Sequence, residues 1–123
     1  MIKETFDSDN IIVNGVLSGD ISLADILKWE SELSRNKYSV RILKILLDST
    51  GATYDFKMED IEHIKQRIIE SLNKFDSVHL AAVHDNPYET AYSLMFNKAV
   101  RIDNFHHATF SDRENAINWL LDS

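Results

Sequence analysis

Hydrophobic positions along the chain alternate between short β-type runs and stretches of helical spacing. Lys3–Phe6 is a short extended stretch, followed by the turn formers Asp7-Ser8-Asp9-Asn10. Ile11–Leu17 resumes with Ile and Val and stops at Ser18-Gly19-Asp20. Two β-type runs across a four-residue polar turn predict an antiparallel hairpin. Ser22 with Asp25 three residues on, and Ile21 and Ile26 in staple positions, opens a first helix. Leu23, Ile26, Leu27 and Leu33 carry it to Ser34, with Trp29 off the centre of the stripe.

Ile42–Leu47 is a nearly unbroken apolar run that ends at Asp48-Ser49-Thr50-Gly51, the pattern of a strand covered on both faces. A long helix over 57–74 follows, with Ile61, Ile64, Ile68, Leu72 and Phe75 as its buried stripe and Glu59, Glu62, Lys65, Gln66 and Arg67 on its wet side. Val78–Val83 is the next strand and ends in His84-Asp85-Asn86-Pro87. Asn86 as cap, Pro87 in the first turn and Glu89 at N3 start a third helix that runs to Asn97. His106–Phe110 is the last strand, and Ser111 with Glu114 is a capping box for a final helix through Leu121. The order β-β-α-β-α-β-α-β-α predicts a single α/β domain with a mainly parallel sheet and an antiparallel first strand at its edge.

Three stretches carry a family resemblance. They are Ile45-Leu46-Leu47-Asp48 before a loop and long helix, Leu80-Ala81-Ala82-Val83-His84-Asp85, and the ending from Phe110 through Ala116-Ile117-Asn118-Trp119-Leu120. Together with the element order they resemble the SpoIIAA-like, STAS-type fold, a stack of βα turns. More specifically they resemble the bacterial SpoIIAA-like STAS/Sec14-type family. The resemblance implies a fold and a tendency to bind partners. It does not carry over the serine phospho-switch of anti-anti-sigma factors, because the corresponding region, Tyr54-Asp55-Phe56-Lys57-Met58, has no serine at the acceptor place.

Composition narrows the chemistry. The chain has 123 residues, three Gly, one Pro and no Cys, which removes disulfides, thiol catalysis and cysteine zinc sites. The start lacks a signal-peptide pattern, and no window approaches a membrane span, so a cytoplasmic protein is expected. The net charge of −7 argues against nucleic acid. The small basic cluster Arg35, Lys37, Arg41 and Lys44 is expected to be a solvated turn and strand edge. His106 and His107 are adjacent in a strand and so face opposite ways, as do His79 and His84, and His63 has no zincin spacing. No metal site and no cofactor are expected. Hydrolase, Walker and Rossmann signatures are missing.

Two constellations remain. At strand carboxyl ends, Asp48, Ser49 and Thr50 leave one strand and His84, Asp85 and Asn86 leave another, an edge where open α/β sheets hold ligands. Turn and cap formation is the plainer role for all six. A displaced phosphoacceptor at Ser49 or Thr50, or an enzyme built on Asp48, His84 and Asp85, would need these side chains to converge. In the third helix, Tyr88, Ala91, Tyr92, Leu94, Met95 and Phe96 exceed one buried stripe. A larger core, a dimer interface or the wall of an apolar pocket would each absorb them. The expected function is a non-catalytic partner-binding or regulatory module that self-associates through this helix. The alternative is a carrier of a small apolar or lipid-like ligand, as the Sec14 resemblance suggests, with a cavity of several hundred Å³ as its signature.

Overall fold

The computed structural model describes residues 1–123. The strands are β1 (Ile2–Asp7), β2 (Ile12–Ser22), β3 (Ile42–Asp55), β4 (Ser77–Val83) and β5 (Phe105–Phe110). The helices are α1 (Leu23–Leu33), α2 (Asp60–Ser71, extended by a 3-10 turn at Leu72–Lys74), α3 (Pro87–Ala99) and α4 (Arg113–Leu121). The sheet runs β1-β2-β3-β4-β5 in chain order, with β1 antiparallel to β2 and every other pair parallel.

Sequential strand order dictates the layers. Each right-handed crossover steps the same way across the sheet, so α1, α2 and α3 must all lie on one face. They do, over a core of Val13, Trp29, Leu33, Leu43, Ile45, Val78 and Phe105 joined by the predicted α2 stripe of Ile61, Ile64, Ile68, Leu72 and Phe75. The fourth helix follows the last strand and needs no crossover. It folds onto the opposite face, where Ala116 and Leu120 pack on Ile12, Leu46, Ala81 and Val83. The small side chains of β4 thus have a use, since Ala81 lets α4 approach closely.

The start signals of α1 and α3 operate as expected. Ser22 and Asp25 form a reciprocal capping box, and the Asn86 side chain accepts from the Tyr88 amide at 2.8 Å. The α4 cap is displaced by one residue from expectation: Asp112, not Ser111, accepts from the Asn115 amide at 2.8 Å. Trp29, expected off the stripe, is buried against Gly15, whose missing side chain leaves room for the indole.

The largest departure lies in β2 and β3. Both continue past the glycine-bearing segments read as their ends, and residues 18–22 pair with residues 51–55 as a parallel ribbon. Between the pairs Val16↔Asp48 and Ser18↔Gly51, β2 has only Leu17 whereas β3 has Ser49 and Thr50. This is a bulge, and it reverses the alternation of β3. Before it, Leu43, Ile45 and Leu47 face the helices; after it, Ala52, Tyr54 and Phe56 do.

Candidate functional site

The six residues expected at strand carboxyl ends do not form one site. Asp48 Oδ1 accepts from the backbone and hydroxyl of Thr50, at 3.1 and 2.7 Å, which staples the bulge. Its Oδ2 is held at 2.8 Å by Arg113, the first residue of α4. Burial alone would raise this carboxyl, but the Thr50 and Arg113 bonds outweigh it and hold the group below its ordinary range. Ser49 is buried and its hydroxyl meets the Tyr54 hydroxyl at 2.8 Å. Asp85 and Asn86 are exposed, the latter spent on the α3 cap. Asp48 and His84 share no hydrogen bond, so the Asp48–His84–Asp85 arrangement does not assemble. Asp48, Ser49 and Thr50 make a bulge inside β3 instead of ending it, whereas His84, Asp85 and Asn86 do leave β4 at its end.

His84 alone of the six turns inward. It continues the helix-facing side of β4 and joins the wall of a cavity of about 140 Å³ between the sheet and α1, α2 and α3. Nineteen residues line it, sixteen of them hydrophobic, among them Leu47, Tyr54, Phe56, Leu80, Ala82 and Phe96. Tyr54, Phe56 and Tyr92 pack edge and face against one another, and the edge of Tyr54 meets the His84 ring at 5.6 Å. The bulge is what turns two of these aromatics into the cavity.

The polar members of the wall are Glu30, His84 and Ser93, with the Tyr54 hydroxyl close by. Burial pushes the Tyr54 phenol up to about 12, so it stays protonated at neutral pH. Burial pulls the His84 imidazole below its usual value and keeps it uncharged, against the opposing pull of Glu89 and Asp85. Burial raises the Glu30 carboxyl, with the Arg67 guanidinium 3.6 Å away as partial compensation. Glu89, expected at N3 of α3 as a helix-start residue, instead buries its carboxylate and accepts from the Tyr54 amide at 3.1 Å. Neither buried glutamate was legible as part of a site, because each occupies a position in its helix where a carboxylate is ordinarily solvated.

The third helix divides its apolar residues. Tyr92 and Phe96 face inward, and the Tyr92 hydroxyl donates to the Phe56 carbonyl at 2.7 Å. Tyr88, Leu94 and Met95 lie outward, 79%, 55% and 47% exposed. Of the five interface candidates, then, two belong to the cavity wall and three remain on the surface.

The histidines separate as strand geometry requires. His79 and His106, neighbours across β4 and β5, stack at 4.9 Å on the α4 side, while His107 faces α3 and bonds Asn97 and the Val100 carbonyl. No three His, Asp or Glu side chains converge as ligands for a metal ion. The basic cluster is largely paired: Lys37 with Glu4, Arg41 with Asp76, and Lys44 with the Leu120 carbonyl. No helix is long and apolar enough to cross a membrane.

A five-stranded mostly parallel sheet with three helices on one face and one on the other is the SpoIIAA-like α/β fold, and this chain has it. A solved structure of an uncharacterized protein from the DUF3478 family, with a SpoIIAA-like fold, from Shewanella loihica PV-4, is similar over 98% of this chain and 92% of its own. The TM-score is 0.64 at 13% identity. No family model and no curated protein matches the chain.

Proposed function

We propose that this protein is a non-catalytic binding module that holds a small, largely apolar molecule between its sheet and its three-helix layer. The observation that carries this reading is the cavity and its hydrophobic wall. Close-packed interiors leave few voids larger than a water molecule, and an apolar cavity near 150 Å³ is known to stay dry and take up benzene. At about 140 Å³ this one suits a molecule the size of a single aromatic ring. It is smaller than the several hundred Å³ expected of a lipid carrier, which moves the ligand class from lipid-like to ring-sized.

Filling the space is the test. Ala82 is a small, buried wall residue on β4. Toluene titrated into the labelled protein should shift amide signals of cavity residues and saturate. Ala82→Leu should abolish that response and raise stability by about 1 kcal/mol, the usual yield of cavity filling. Toluene shifts spread over the surface, or unchanged in Ala82→Leu, would sink the reading.

A second reading rests on the exposed Tyr88, Leu94 and Met95: self-association through the outer face of α3. Sedimentation of the wild type against Leu94→Glu tests it.

A further inference from the structure

The polar atoms around the cavity divide into those with partners and those without. The Tyr54 hydroxyl has Ser49 at 2.8 Å and the Ser93 hydroxyl has Thr109 at 2.6 Å, while Glu30 is ion-paired with Arg67 at 3.6 Å but accepts no hydrogen bond at either oxygen. His84 has nothing. The residue is 3% exposed, lies in the cavity wall, and neither Nδ1 nor Nε2 meets a hydrogen-bond partner within the protein. A buried imidazole left so forfeits the water it bonded before folding, a cost of about 1–3 kcal/mol.

We propose that the occupant carries one uncharged hydroxyl, of the phenol or small-alcohol class, and that His84 recognises it through a ring nitrogen while the apolar body fills the rest of the cavity. This rests on the reading of the cavity as a ligand site. An uncharged imidazole carries an N–H on one ring nitrogen and a lone pair on the other, so a hydroxyl, which can accept or donate, suits whichever of the two it meets. A carboxylate is the wrong partner. It would share the cavity with Glu30, with Glu89 close to His84, and no lysine or arginine lines the wall to offset its charge. An ammonium would bring a charge to an imidazole that burial holds neutral, inside a wall that is mostly hydrocarbon.

Water is the competing occupant. A buried water needs two to four polar partners. His84 follows directly on β4, and the buried carboxyl groups of Glu30 and Glu89 are the neighbouring groups with oxygens left unbonded. A water takes up only about 10–15 Å³ of such space, so one at His84 would leave most of the cavity of about 140 Å³ empty against a wall that is mostly hydrocarbon. A hydroxyl on an apolar body bonds His84 and fills the remaining space as well.

Phenol and toluene have nearly the same shape and differ in the hydroxyl. Titrated by NMR into the wild-type protein, phenol should bind about tenfold more tightly than toluene, the worth of one net hydrogen bond in an apolar site. Phenol, and not toluene, should move the ring-nitrogen signals of His84, a readout independent of any variant. In His84→Leu the preference should vanish with toluene binding retained, and in Glu30→Gln it should persist. Equal affinities in the wild type, or a preference lost in Glu30→Gln and kept in His84→Leu, would overturn the assignment while leaving the cavity a ligand site. Neither compound binding would remove the cavity reading itself and this inference with it. Ring-nitrogen signals that stay fixed while phenol saturates would leave water as the sole partner of His84 and overturn the proposal.

Discussion

At the scale of single residues, the glycines show how unequal positions of one type are. A Cβ on Gly15 would stand 2.4 and 2.5 Å from Cη2 and Cζ2 of Trp29. The indole cannot retreat freely, because its Nε1 donates to Glu4 at 2.9 Å, and Glu4 is also bonded by Tyr38 and Lys37. A Cβ on Gly51 would meet only the Leu17 carbonyl, at 3.5 Å, an ordinary contact. Gly15→Ala should therefore lose about 2 kcal/mol, as overpacked cores do. Gly51→Ala should stay within about 0.5 kcal/mol of the wild type. Urea unfolding of the two variants measures both, and equal losses would show that the Trp29 contact is not what makes Gly15 necessary. This pairing explains why Trp29 sits off the predicted α1 stripe yet is buried: its partner is a hole in β2, invisible to helical periodicity.

At the scale of elements, the sequence was most legible where a signal is local. Ser22, Asp25, Asn86 and Pro87 act within one turn, and the α2 stripe is a period, so both survive translation into structure. The ends of β2 and β3 were not legible, because Ser18-Gly19-Asp20 and Asp48-Ser49-Thr50-Gly51 have turn composition and only their pairing with each other keeps them extended. The bulge is a consequence of that pairing, and it decides which side chains reach the cavity. Inserting one glycine between Gly51 and Ala52 shifts the alternation beyond the bulge by one, which would aim Thr53 and Asp55 inward and expel Tyr54 and Phe56, whereas deleting Thr50 would leave a regular strand with both still inward. Exposing two large apolar side chains costs about 3 kcal/mol or more. Thr50→Ala keeps the residue count and loses chiefly the hydroxyl bond to Asp48, about 1 kcal/mol. Thermal unfolding and near-ultraviolet dichroism of the aromatics distinguish them, and a Thr50→Ala as damaged as the insertion would refute the role of register.

At the scale of the whole molecule, the cavity was the least legible feature, since it consists of space left between the sheet and three helices that no single segment encodes. The third helix joins that space to the surface: Tyr92 and Phe96 belong to the interior, while Tyr88, Leu94 and Met95 face solvent. The two faces make separable demands. If the outer face joins two copies, each brings a charge of −7, and their mutual repulsion opposes contact at low salt. Association should then strengthen as salt rises from 10 mM toward 300 mM, the reverse of an interface built on opposite charges. Leu94→Glu places a carboxylate in the middle of the apolar face and should abolish association at every salt concentration. Its stability should change by less than about 1 kcal/mol, because Leu94 is more than half exposed already. Toluene should bind this variant as it binds the wild type, since Leu94 has no place in the cavity wall. A wild type that sediments as a monomer at tens of micromolar across this salt range would leave the outer face of α3 without a partner of its own kind.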